Sequence, residues 1–433
     1  MNIEINESGK WQHSFTVKML LLAFMGLVLL IPLQMIKSMI EERQKSSENI
    51  KKEISFQWAG SQTISGPVLN IPLNIIPAGK DAEPFRSVFH IMPETLNIKG
   101  DVQTEKRRRS IYEAVVYTSV INLSGEFVVP EINSAQKSEI LWDEAYYSIG
   151  ISDNRGLKGA VSLMTDSVAI EAVPGLKDTD LFSTGITFPA KMDSEKKKTG
   201  FTLALKISGS ESIYFTPLGK TTDVCLTSPW DSPGFAGNFL PADRQIDEKG
   251  FTAKWIVTNL NRNFPQSWSG NGYKPEKDSF GTEFVLQVDH YQKSIRSAKY
   301  GILFIALTFL ALLFVEISTD SRIHVFHYLQ LALGLVLFFS LLNALSEQVG
   351  FNSAYLIASA STILLIAFFL KALIKLTRPV LLLAGLLVFL YSFIFILLTL
   401  NDYAYLAGNI GLFVLLSITM MFSTKLKLYK NGL

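Results

Sequence analysis

The residue types best suited to chemistry concentrate in three places. The first is residues 209–268, where Trp230, Phe235, Phe239, Trp255, Phe264 and Trp268 stand close together and Pro217, Pro229, Pro233, Pro241 and Pro265 fix turns between them. Read functionally, Gly209, Ser210, Trp230, Pro233, Phe235, Phe239, Trp255 and Trp268 would line an aromatic groove for a peptide or glycan. Aromatic side chains bury large areas, so the same residues also suit the core of a β-sandwich. Gly209-Ser210-Glu211-Ser212 lacks the GxSxG spacing of a nucleophile elbow. Asp223, Asp231, Asp243 and Asp247, with Arg244, include enough carboxylates for an acid/base pair, but sequence spacing does not bring any two face to face.

The second place is a short joint, Asp289, Tyr291, Arg296, Lys299 and Tyr300, just before a long apolar run. The third is a polar cluster, Glu316, Arg322 and His324, at the end of that run. Ionisable groups inside a membrane are functional candidates, yet these lie where water reaches them, which favours structural ion pairing over a proton relay. No cofactor motif appears, and no metal site is expected. The five histidines (His13, His90, His290, His324, His327) are scattered, and the single cysteine, Cys225, rules out an intramolecular disulfide or a multi-thiolate site. Cys225 reads as a small buried hydrophobe in a strand.

The elements that position these groups follow from hydropathy. The chain has 433 residues, 48% of them hydrophobic, and a mean hydropathy of +0.26, values that favour a membrane protein. Its 40 basic and 38 acidic residues give a net charge of +2, which offers no global field for nucleic acid. Residues 1–18 form a polar cytoplasmic tail, and 19–36 an apolar run of roughly 27 Å as a helix, near the thickness of a bilayer core. This run ends in large or polar residues without a small-residue cleavage site, so it reads as an uncleaved signal anchor. Residues 37–59 read as an amphipathic helical connector, with Ile36, Ile40, Ser47, Ile50 and Ile54 near helical spacing.

From 60 to 299 the pattern changes to short alternating strings punctuated by Gly, Pro, Asn and Asp, which predicts a β-rich domain without βαβ units. Its two basic clusters, 106–109 and 196–198, lack interleaved aromatics and read as solvated loops. Residues 300–424 hold five apolar runs, at 300–316, 325–345, 354–370, 380–400 and 405–423, and 425–433 close the chain. The predicted fold is therefore a polytopic α-helical membrane protein with six transmembrane helices, one plus five. A large β-rich extracytoplasmic domain is inserted between helices 1 and 2.

Orientation follows from the short connections. With the N-terminus inside, the cytoplasmic segments carry Lys10, Lys18, Arg322, Lys371, Lys375, Arg378, Lys425, Lys427 and Lys430. The short outer turns, 346–353 and 401–404, carry no Lys or Arg. Both termini are then cytoplasmic and residues 37–299 periplasmic.

The chain resembles the CreD family of bacterial inner-membrane proteins. The residues that carry the resemblance are Arg43, the run Gly60 to Leu69, Gly209-Ser210, Pro217-Leu218-Gly219, Trp230 to Phe235, Gly237, Phe239-Leu240-Pro241, and Gly250-Phe251 through Trp255. Further on come Val288-Asp289-His290-Tyr291, Arg296, Lys299-Tyr300-Gly301, Leu307-Thr308-Phe309, Glu316, Arg322-Ile323-His324, Ser346-Glu347, Phe351, Ala354-Tyr355-Leu356 and Asp402-Tyr403-Ala404. Gly234 departs from the family, where serine is expected, and the tail before Met19 matches no fixed pattern. The resemblance implies an inner-membrane address in a Gram-negative cell, expression under a two-component envelope-stress system, and a link with envelope integrity and colicin tolerance. It carries over no catalytic residue.

The first functional reading is a non-enzymatic protein of envelope homeostasis, whose partners are the lipid bilayer and an envelope component bound or sensed by the outer domain. The alternatives are a periplasmic enzyme acting on an envelope glycan, peptide or lipid at residues 209–268, and a lipid or small-solute translocator. Nothing in the pattern specifies an oligomeric state.

Overall fold

Period-two burial runs through the middle of the chain and helical apolar runs through both ends. A computed structural model describes residues 15–76, 83–109, 112–132, 137–284, 290–319, 323–374, 377–400 and 404–425. The chain divides into two units, one made of Met1–Ser47 and Val288–Leu433, the other of Glu48–Gln287.

The second unit is built from two sheets. Strand Thr95–Arg109 alternates exposed and buried positions, sending Leu96, Ile98 and Val102 inward. It pairs antiparallel with Tyr112–Val128, from Thr95 opposite Glu126 to Arg109 opposite Tyr112. Lys198–Ser210 continues the sheet beside Tyr112–Val128. The complete eight-stranded order is Asp243–Asp247, Gly250–Thr258, Thr221–Ser228, Thr95–Arg109, Tyr112–Val128, Lys198–Ser210, Ser162–Thr165 and Val168–Glu171.

The ten-stranded sheet is organised on Gln62–Ile76. Its first half lies between Ser212–Phe215 and Tyr146–Ile151, and its second half between Phe85–Ile91 and Lys137–Ile140. Pro233–Gly237 and Phe280–Phe284 extend one side, Gly185–Pro189 and Val173–Pro174 the other, and Ser267–Ser269 pairs with Phe85–Ile91. Most pairings are antiparallel. The exceptions are Gln62–Ile76 with Ser212–Phe215 and Thr95–Arg109 with Thr221–Ser228.

One hydrophobic core lies between the sheets. Aromatic rings bridge it: Phe127 to Tyr147 at 5.5 Å, Phe235 to Phe251 at 5.8 Å and Trp255 to Phe280 at 5.7 Å between centroids. The basic cluster at 106–109 is partnered within this unit. Lys106 lies over the Trp230 ring, Arg107 over Trp58, Arg108 pairs with Glu113 and Arg109 with Glu53.

The helices are α1 (Phe15–Val28), α2 (Leu30–Trp58), α3 (His290–Lys299), α4 (Gly301–Thr319), α5 (Val325–Val349), α6 (Phe351–Ile374), α7 (Thr377–Thr399) and α8 (Ala404–Lys425). Among the described residues, four helical segments are long and apolar enough to cross a membrane: Val17–Trp58, Val325–Val349, Phe351–Ile374 and Thr377–Thr399. A fifth is added if α3 and α4, bent by 41°, count as one span. The expected run at 405–423 lies within α8, and residues 290–299 are helical and group with the first unit.

In that unit α5 packs on α6 and α6 on α7, with α4 against α5 and α7. Ala354 and Ala358, one turn apart and fully buried, allow close helix approach. Gly301 serves the same purpose, since a Cβ there would meet Leu33 Cδ2 at 2.7 Å. Leu337, Phe368, Leu381 and Leu382 turn outward with large exposed areas, as a hydrocarbon solvent requires and water would not tolerate.

Candidate functional site

The aromatic residues of 209–268 face the inter-sheet core. Trp230, Trp255 and Trp268 are buried there, and Phe235 and Phe239 pack against it partly buried. Their polar atoms are satisfied locally: Trp230 Nε1 donates to Ser232 O, Trp255 Nε1 to Phe239 O and Trp268 Nε1 to Gly270 O. Pro233 opens the edge strand Pro233–Gly237. Gly209 and Ser210 are buried at the end of their strand. A Cβ on Gly209 would meet Tyr117 Oη at 2.3 Å, and Ser210 Oγ donates to Ala59 O at 2.8 Å.

The carboxylates of that segment are spread over its surface. Asp223 Oδ2 lies 3.5 Å from Lys254 Nζ, and Asp231, Asp243 and Asp247 are exposed. Arg244 stacks over Phe235, 5.9 Å from its centroid. A cleft of about 380 Å³ includes Asp101, Gln103, Asp247 and Lys249.

In the helical unit, Asp289 and Arg322 lie outside the described residues. Tyr291, buried on α3, donates its O–H to Glu347 Oε1 at 3.1 Å. Arg296 Nη2 donates to Leu397 O and Leu400 O, each at 3.4 Å, at the C-terminal end of α7. Lys299 is exposed, and Tyr300 packs against the bundle core. Glu316 collects more partners than its sequence neighbours indicate: Lys18 Nζ at Oε1 and the Tyr328 O–H at Oε2, 2.9 Å away. Lys18 also donates to Ile323 O at 2.7 Å. His324 caps α5, its Nδ1 accepting from Phe326 N at 3.2 Å. Between α1 and α4 a recess of about 280 Å³ is lined by apolar residues, among them Leu22, Met19, Ile305 and Phe309.

A further polar cluster lies in the β-rich unit. His90, on Phe85–Ile91, is fully buried, and its Nδ1 is 2.7 Å from Asn70 Oδ1 on the adjoining strand. Asn70 Nδ2 donates to Ser148 Oγ at 2.8 Å and to Val68 O at 3.2 Å, which orients the amide with its oxygen towards His90. Beyond the ring stand Asp178 and Asp180; Asp180 N donates to Asp178 Oδ1 at 3.0 Å, and Tyr146 donates its O–H to Asp178 Oδ2. Burial holds the His90 pKa below the ordinary imidazole value, despite the two nearby carboxylates. No sequence motif joins these residues. The register that sets Asn70 opposite His90 is a property of the folded sheet and left no mark in residue spacing.

The model of a family described as inner membrane protein CreD matches residues 14–429. The chain is 32% identical over 360 residues to the inner membrane protein CreD of Escherichia coli (strain K12), covering 81% of this chain and 79% of that protein. Among solved structures, an M1 zinc metallopeptidase from Deinococcus radiodurans aligns over 38% of each chain at 8% identity and a TM-score of 0.19, too low to carry an argument.

Proposed function

Because the chain belongs to the CreD family of inner-membrane proteins, we propose that it works in envelope homeostasis under stress, colicin tolerance included. In this reading its β-rich domain on the periplasmic side binds or senses an envelope component. The helices form six spans that anchor this domain, with both termini cytoplasmic.

The observation that carries the reading is the sorting of charge. A β-rich insert of more than 200 residues follows the first apolar helix, and the short connections alternate between lysine- or arginine-bearing and basic-free. The aromatic residues of 209–268 pack into or against the inter-sheet core, so an aromatic groove there supports neither a binding nor an enzymatic role. The apolar lining of the α1–α4 recess favours an anchor over a path for polar solutes.

The sole cysteine makes the topology testable. In a Cys225→Ala background, Lys158→Cys and Lys371→Cys each place a single thiol at an exposed position. A membrane-impermeant maleimide applied to cells with a permeabilised outer membrane should label Lys158→Cys alone, and Lys371→Cys only after the inner membrane is broken. The reverse pattern would exclude a periplasmic β-rich domain. Photo-crosslinking from the exposed face of the same domain would then identify the bound component.

A further inference from the structure

We propose that His90, Asp178 and Asp180 form a binding site for a divalent transition-metal ion of the zinc class. The contact with Asn70 sets the His90 tautomer. An amide oxygen only accepts, so the 2.7 Å contact with Asn70 Oδ1 places the proton on Nδ1. Nε2 then carries a lone pair, and among the described residues nothing donates to it. Asp180 Oδ2 lies 3.6 Å from it and is itself an acceptor. A fully buried imidazole lone pair therefore faces carboxylate oxygens, an arrangement that a cation resolves.

The geometry admits one. A ligand atom from each of the three residues lies within 4.8 Å of the others. Bonds of roughly 2.0–2.2 Å bring such atoms to about 3–3.5 Å of one another, a closure that side-chain rotation of the aspartates supplies. Among the described residues neither aspartate pairs with a lysine or arginine. The nearby Lys274 instead donates to the carbonyls of Thr179 and Asp180, and Lys177 lies over the Tyr146 ring. Neither carboxylate is thus neutralised by a direct ion pair with a lysine or arginine among the described residues.

The outer groups match what ligands need. Asn70 fixes the imidazole tautomer, and the Tyr146 O–H and the Asp180 N–H hold Asp178. The Asp180 side chain is 31% exposed, which leaves an approach for the ion and a position for water. One nitrogen with two carboxylates suits zinc or manganese, whereas magnesium and calcium select all-oxygen sets.

The test uses the full chain in detergent, stripped with a chelator and dialysed. It is then titrated separately with zinc, manganese, magnesium and calcium chlorides, and bound metal is counted by elemental analysis. Zinc or manganese should bind at roughly one ion per chain. Asp178→Asn and Asp180→Asn should each weaken that binding by about 10–100-fold or more, as changes around metal ligands do. Both positions are partly exposed, so these isosteric variants keep the fold, which circular dichroism and the melting temperature confirm. Uptake unchanged in both variants, uptake of magnesium or calcium alone, or no stoichiometric uptake would each overturn the site.

Discussion

Lys18 and Glu316, 298 residues apart in sequence, are an ion pair within the helical unit, with side chains only 17% and 15% exposed. Tyr328 completes the arrangement by donating to the second Glu316 oxygen, while Lys18 lies over its ring at 5.2 Å. The pair joins α1 to α4 and α5, so it ties the N-terminal helix to the later helices. Removing one member strands the other. Glu316→Ala should cost about 3 kcal/mol, near the low end for a broken buried pair because water still reaches this one. The double variant Lys18→Met with Glu316→Leu should recover much of the loss. Thermal unfolding in detergent reads both, and single-variant effects within about 0.5 kcal/mol would mean that the pair contributes little.

Arg296 places its guanidinium at the carbonyls that end α7. A cation there satisfies orphan acceptors and opposes the helix dipole, an effect of about 1–2 kcal/mol when partly buried. Arg296→Glu should lower the melting temperature measurably, while Arg296→Lys retains most of the stability and membrane insertion persists in both. Equal melting temperatures for the wild type and Arg296→Glu would remove this contact from the account.

Gly209 has no room for a methyl group. Gly209→Ala drives a Cβ towards the fully buried Tyr117 and towards Gln62, and should destabilise the β-rich unit by about 1–3 kcal/mol. Gly272→Ala, where nothing lies within 4 Å, is the control and should be near neutral. Denaturant titration followed by tryptophan fluorescence separates the two. Equal midpoints would show that the close approach at Gly209 is readily relieved.

Asp153 gives a pH dependence of defined sign. The Arg155 guanidinium donates to its carboxylate, as does Gly60 N at 3.0 Å, and together they hold the carboxyl down at about 2. A carboxyl lowered in the folded state contributes stability above its unfolded pKa of about 4 and loses it as pH falls through the folded value. Asp153→Asn should therefore lower stability near neutrality, and its difference from wild type should close between about pH 4 and pH 2. A difference that stays constant across that window would contradict the lowered pKa.

Much of the architecture is local and could be read before folding. Period-two alternation in 95–109 and 198–210 specifies strands with one buried face, because successive side chains point to opposite sides. Apolar runs near bilayer length become helices because only hydrogen-bonded backbone is tolerated in hydrocarbon. Both are properties of neighbouring residues. The dense aromatics of 209–268 showed that something large was buried or bound. Which of the two it was depended on the facing sheet, where Phe280 and Phe251 meet Trp255 and Phe235.

What tertiary structure alone decided are the long-range meetings. Parallel pairing of 62–64 with 213–215 brings segments about 150 residues apart edge to edge, and no local propensity encodes that choice. Likewise Glu316 appeared as the neighbour of Arg322 and His324, whereas among the described residues the cation it pairs with is Lys18, 298 residues away in sequence. His90 was one of five scattered histidines until the strand register set Asn70 against one ring nitrogen and the fold set Asp178 and Asp180 before the other. Residue type and spacing determine the element a segment forms and the solvent it suits. Which side chains share a buried space is set by packing between elements, and that is where the ion pair, the core aromatics and the proposed metal site arise.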